Sequence, residues 1–102
     1  MQEIRYDEFK GWLKDVRITP HVLDRLAAAQ RNIFKPEELV RILRTERPAL
    51  IGLQENGRYA ALFRRADGFM RIIFHKAQDH VEIRTFYMAD FLPRVDNGDK
   101  TA

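Results

Sequence analysis

Apolar residues change their spacing at Pro48. Before it they recur at helical intervals. Ile4, Phe9, Trp12 and Leu13 stand among charges over residues 3 to 14, which predicts a short amphipathic helix. "VRI" at 16 to 18 reads as a short strand. Thr19-Pro20 then announces a helix start, with threonine as N-cap and proline at the first helical position. The stripe Val22, Leu23, Leu26, Ala27 and Ala29 carries that helix to about Asn32. "IFKPEE" breaks it and opens another at Pro36, with Glu37 and Glu38 in the first turn, where the helix dipole favours them. Leu39, Val40 and Leu43 form its inward face, and Pro48 ends it.

Beyond Pro48 the pattern is that of strands, at 49–54, 58–65, 69–76 and 80–89. "ENG", "ADG" and "AQD" separate them, and Asn56-Gly57 is the usual signal of a type I′ turn. Such connections are too short for crossover helices, so neighbouring strands run antiparallel. The predicted fold is therefore α+β: two to three N-terminal helices packed on a four-stranded antiparallel meander. One domain spans residues 1–95, and the polar 96–102 tail is expected to fray.

Strict alternation sorts each strand onto two faces. Tyr59, Ala61 and Phe63 oppose Arg58, Ala60, Leu62 and Arg64; Met70, Ile72 and Phe74 oppose Phe69, Arg71, Ile73 and His75. In the last strand Val81, Ile83, Thr85 and Tyr87 oppose Glu82, Arg84, Phe86 and Met88. One face is mostly apolar and takes the helices. The other mixes arginine with apolar residues, which suits a partner surface or long side chains snorkelling over apolar ground.

Composition narrows the function. The 102 residues are 45% hydrophobic and 32% charged, ordinary for one globular domain. No cysteine is present, which removes disulfides, thiolate zinc sites and thiol nucleophiles, and fits a reducing cytoplasm. The N-terminus lacks a signal-peptide apolar core, and no run approaches the ~20 apolar residues of a membrane helix. The net charge is +3, and arginine supplies thirteen of the eighteen cations. Its planar fork binds phosphate bidentately, so an anionic partner is favoured.

Nucleotide hydrolysis of the P-loop kind has no glycine loop to use here. The three histidines fall on different elements without metal-ligand spacing, so neither metal nor cofactor is expected. His80, beside a turn, reads as a solvated loop residue, and His75 as a surface position at a strand end. His21 lies in the first turn of the Thr19 helix, where the dipole lowers an imidazole's pKa and suits it to act as a base. Arg25 follows one turn later on the same face.

An "H-x-x-x-R" helix, a second short helix, an "RY" strand, a "G-x-x-R-I-I" strand and a closing "I-R-T-F-Y" strand occur in this order over residues 17 to 90. This arrangement resembles the small proteins grouped with RelE- and BrnT-type toxins, within the barnase-, colicin- and RelE-like ribonucleases. The resemblance implies helices on an antiparallel sheet and RNA cleavage without metal. It also implies a catalytic set of His21 and Arg25, the strand cation Arg58, and the late hydroxyls Thr85 and Tyr87. Arg64, Arg71 and Arg84 would bind RNA phosphates. Alternation puts Thr85 with Val81 and Ile83, and only a bulge would move it to the other face. Three functions stay open: a metal-independent endoribonuclease held by an antitoxin, a non-cutting RNA- or ribosome-binding module, and a protein-interaction factor, including self-association into homo-oligomers.

Overall fold

The computed structural model describes residues 1–20, 22 and 35–95. Among these, two helices and six strands occur in the order β1 (Gln2–Glu3), α1 (Tyr6–Gly11), β2 (Val16–Ile18), α2 (Pro36–Thr45), β3 (Leu50–Leu53), β4 (Tyr59–Arg65), β5 (Gly68–Lys76) and β6 (Val81–Ala89). Most of the helix predicted to reach Asn32, and the 96–102 tail, lie outside the described residues. The helix start itself is as read: Pro20 and Val22 are helical, and Val22 N donates to Thr19 Oγ1 at 3.3 Å.

The fold is α+β, as expected, but the sheet is larger and mixed. Its strand order is β1-β3-β4-β5-β6-β2. The four-stranded antiparallel meander forms its middle, with β3–β4, β4–β5 and β5–β6 all antiparallel. β1 adds an antiparallel edge against β3, and β2 adds a parallel edge against β6, pairing Val16 with Val81 and Ile18 with Ile83. A two-residue polar strand such as Gln2–Glu3 has no periodicity to display. The place of β2 is set by a pairing partner more than sixty residues away. No described helix is long and apolar enough to cross a membrane.

α1 and α2 cover one face of the sheet. Phe9 and Leu13, with Leu39, Ile42 and Leu43, meet Ile51, Ala61, Phe63, Met70, Ile72, Phe74, Val81, Ile83 and Phe86 in one buried cluster. α2 begins at Pro36, with Glu37 and Glu38 in its first turn and Arg44 in its last, each sign placed where the macrodipole favours it. Past its end, Glu46 receives Arg65 Nη1 at 3.0 Å and Nη2 at 3.3 Å, a two-pronged bridge to the end of β4. Trp12, Tyr59 and Phe74 pack together, with centroids 5.0 Å apart for Trp12–Tyr59 and 5.5 Å for Tyr59–Phe74.

Two local predictions are corrected. The β3–β4 turn is not type I′, which needs two residues with positive φ. Only Gly57, at φ 86°, has it, and no non-glycine residue described does. The loop instead holds three residues, Glu55-Asn56-Gly57, closed by Gln54 N–H to Arg58 O at 2.8 Å, with Asn56 Oδ1 accepting Arg58 N–H at 2.9 Å. The second correction concerns β6. Ile73 pairs with Thr85 but Phe74 pairs with Ile83, so Arg84 is an extra residue, a β-bulge. Val81 and Ile83 face the helices before it, and Phe86 does so after it. Thr85 and Tyr87 thereby move to the opposite face, against strict alternation.

Candidate functional site

The face turned away from the helices carries the arginines. The register sets Arg64 beside Phe69, Leu62 beside Arg71 and Tyr87, Ala60 beside Ile73 and Thr85, and His75 beside Glu82. Arg58 precedes β4 and continues the row of Ala60, Leu62 and Arg64. Arg58, Arg64, His75 and Tyr87 are exposed, while Arg71, Arg84 and Thr85 are half-buried. Regular alternation in β4 and β5 places Arg58, Arg64 and Arg71 on this surface, and the bulge adds Thr85 and Tyr87 to it. The predicted base His21 and its companion Arg25 lie outside the described residues.

This face is also partly covered by its own chain. Leu50, Ala60, Leu62, Phe69 and Ile73 form a second buried cluster, and Met1 and Val95 pack against it. After β6 the chain turns back over the sheet. Its Arg94 carbonyl accepts the Met1 amino group at 3.1 Å, beside β1 at the far edge. Residues 90–95 therefore cross the face as a strap. The crossing begins where Gly68, at φ 140°, approaches the end of β6: a Cβ there would stand 2.5 Å from Ala89 O.

Arg71 sits at the centre. Its Nη2 donates to Gln54 Oε1, and its guanidinium lies 5.7 Å from the Tyr87 ring centroid, within cation–π range. Arg71 Nε is buried and has no hydrogen-bond partner among the described residues. Arg64 lies over Phe69 at 5.1 Å. Arg84 Nη2 forms an ion pair with Glu82 Oε1 at 3.2 Å, and its Nε, like that of Arg71, is buried without a hydrogen-bond partner among the described residues. A pocket of about 370 Å³ opens above Arg71, lined by Met1, Gln54, Glu55, Asn56 and Pro93.

His80 is no solvated loop residue. Its side chain is only 12% exposed, held by Asp79 Oδ1 at 2.7 Å on Nδ1 and by Glu82 Oε2 at 2.8 Å on Nε2. Glu82 first, then Asp79, raise the imidazole's pKa by accepting from its protonated form, and His80 in turn lowers both carboxylates. The signal lay in the "D-H-x-E" spacing, since residues i and i+2 of a strand share a face. Asp15, similarly lowered by its bond to Arg17, sits at the start of the neighbouring β2. With both nitrogens engaged, His80 is a structural clamp. Among the described residues, no group of three or more His, Asp or Glu could hold a metal ion.

Compared with protein-family models, curated proteins and solved structures, the chain matches none.

Proposed function

We propose that the open face binds single-stranded RNA and that the protein cleaves it without metal, in the manner of a RelE/BrnT-type toxin. The bulge at Arg84 is the observation that carries this reading, since it turns Thr85, opposite Ile73, and Tyr87, opposite Arg71, to the face that holds Arg58 and Arg64. Arginines interleaved with Tyr87 and Phe69 combine phosphate attraction with ring stacking, the pairing that unstructured nucleic acid requires. In the proposed reaction His21 takes the proton of a ribose 2′-hydroxyl and the 2′-oxygen attacks the adjacent phosphorus. The bond to the 5′-oxygen then breaks, and that oxygen takes a proton from water. Arg25 and Arg58 stabilise the charge that develops on the phosphoryl oxygens, and Thr85 and Tyr87 position the phosphate.

The test is cleavage of total and of actively translated RNA in EDTA by the parent protein, His21→Ala and Arg58→Ala. Cutting by the parent, reduced at least 100-fold by His21→Ala, supports the reading. Cutting that both variants retain abandons it. The same arginine-lined face, with Tyr87 beside Arg71, also supports as second reading a module that binds RNA without cutting it.

A further inference from the structure

Of the three half-buried arginines described, two already have a carboxylate: Arg65 has Glu46 at 3.0 Å, and Arg84 has Glu82 at 3.2 Å. Arg71 has none among the described residues. Its partners are the neutral amide oxygen of Gln54 and the face of Tyr87, while its buried Nε–H points to no acceptor. A half-buried guanidinium with an idle donor is costly unless a charge completes it. Arg71 also forms part of the lining of the 370 Å³ pocket, a volume within the range of small-ligand sites.

The rest of the lining indicates what the charge is attached to. Gln54 and Asn56 supply amide groups, and Glu55 a carboxylate that accepts from hydroxyls and repels a bare anion. Pro93 of the strap forms an apolar wall. The Arg71 guanidinium, a hydroxyl acceptor, amides and an apolar wall suit a phosphorylated sugar carrying a base. We propose that this pocket is a subsite for one nucleoside phosphate, with the phosphate on Arg71 and the sugar against Glu55 and Asn56. The proposal deepens the RNA reading and names which part of the face takes a phosphate. A free mononucleotide and a nucleotide within an RNA present the same group.

The experiment follows the Arg71 Nε–H resonance by NMR in the full chain during titration with uridine monophosphate, inorganic phosphate, and a short RNA with or without a 5′-phosphate. The expected result is a saturable shift of Arg71 Nε–H with uridine monophosphate. Arg71→Gln, checked for an unchanged amide spectrum elsewhere, weakens that binding at least tenfold, and inorganic phosphate binds more weakly than the nucleotide. A shift with 5′-phosphorylated RNA alone assigns the site to a chain end, and a shift with both RNAs assigns it to an internal phosphate. No shift with any probe, or equal binding by Arg71→Gln, overturns the proposal even if RNA binds elsewhere on the face. Nucleotide binding at Arg71 without affinity for RNA overturns the RNA reading and leaves the pocket standing.

Discussion

His80 shows how a single side chain fastens a sheet corner. Its ring spans Asp79 in the β5–β6 turn and Glu82 in β6, and Val81 N–H next to it donates to Asp15 O at 2.9 Å, just before β2. The imidazolium can donate to both carboxylates, whereas the neutral ring can donate to only one. Glu82 and Asp79 raise its pKa above the ordinary 6.5, so the folded protein holds this proton more tightly than the unfolded chain. The clamp's stabilisation is therefore complete below that ordinary value and fades as pH rises through the raised folded one. Asp79 and Glu82, shifted downward, contribute in the opposite sense: their share is present above the ordinary carboxylate range and is lost only as pH falls through their lowered values. Melting temperatures of the parent and of His80→Gln should accordingly differ most near about pH 5.5 and converge by about pH 9. A gap that stays constant across that interval would remove the titrating clamp from the account.

At the level of elements, the bulge in β6 decides which residues are functional candidates. Arg84 is the surplus residue, so removing it leaves Ile83 and Phe86 on the helix side and Thr85 and Tyr87 on the open side. Deletion of Arg84 should keep a cooperative melt within about 2 kcal/mol of the parent, because the loss is one partly exposed bridge to Glu82. Deletion of Ile73, from the unbulged ladder with β4, should abolish cooperative melting by turning Phe74 out of the core. Near-UV circular dichroism with thermal scans separates the two, and an equal collapse in both would mean that the bulge is structural. What the sequence shows of these elements follows from how local the cause is. The Thr19 cap and the Pro36 start depend on adjacent residues, and both are legible. The turn at Asn56-Gly57 is placed correctly but mistyped, because its conformation depends on how Gln54 and Arg58 pair. The bulge leaves a faint mark, the polar pair Arg84-Thr85 between Ile83 and Phe86, which the apolar run Phe86-Tyr87-Met88 after it obscures. Arg71's pocket depends on Pro93, twenty-two positions away, and no spacing rule links them.

For the whole molecule the question is how a face with a buried apolar centre can hold a polyanion. Val95 and Met1 seal Leu50, Leu62, Phe69 and Ile73, so the strap removes from water the part of the face that would otherwise be sticky. What remains uncovered of the sheet is Arg58 and His75 at one end, Arg64 at the other, and Tyr87 beside Arg71 between them, while the strap itself exposes Phe91 and Leu92. A strand of RNA laid along these positions would be held chiefly by charge, and charge-held binding weakens with salt. Each phosphate neutralised on a single strand contributes about −0.7 to the slope of log affinity against log salt. Arg64→Ala should therefore make the slope shallower by about 0.7, with weaker binding to every sequence tested. Arg41 sits on α2 beside Glu38 at 3.7 Å, and Arg41→Ala should leave the slope unchanged. Fluorescence anisotropy with a labelled single-stranded RNA at several salt concentrations measures both. If the two variants lower the slope equally, attraction is spread over the whole surface and the open face loses its claim. If only Arg64→Ala lowers it, the RNA lies along the row of arginines, on the side the helices leave open.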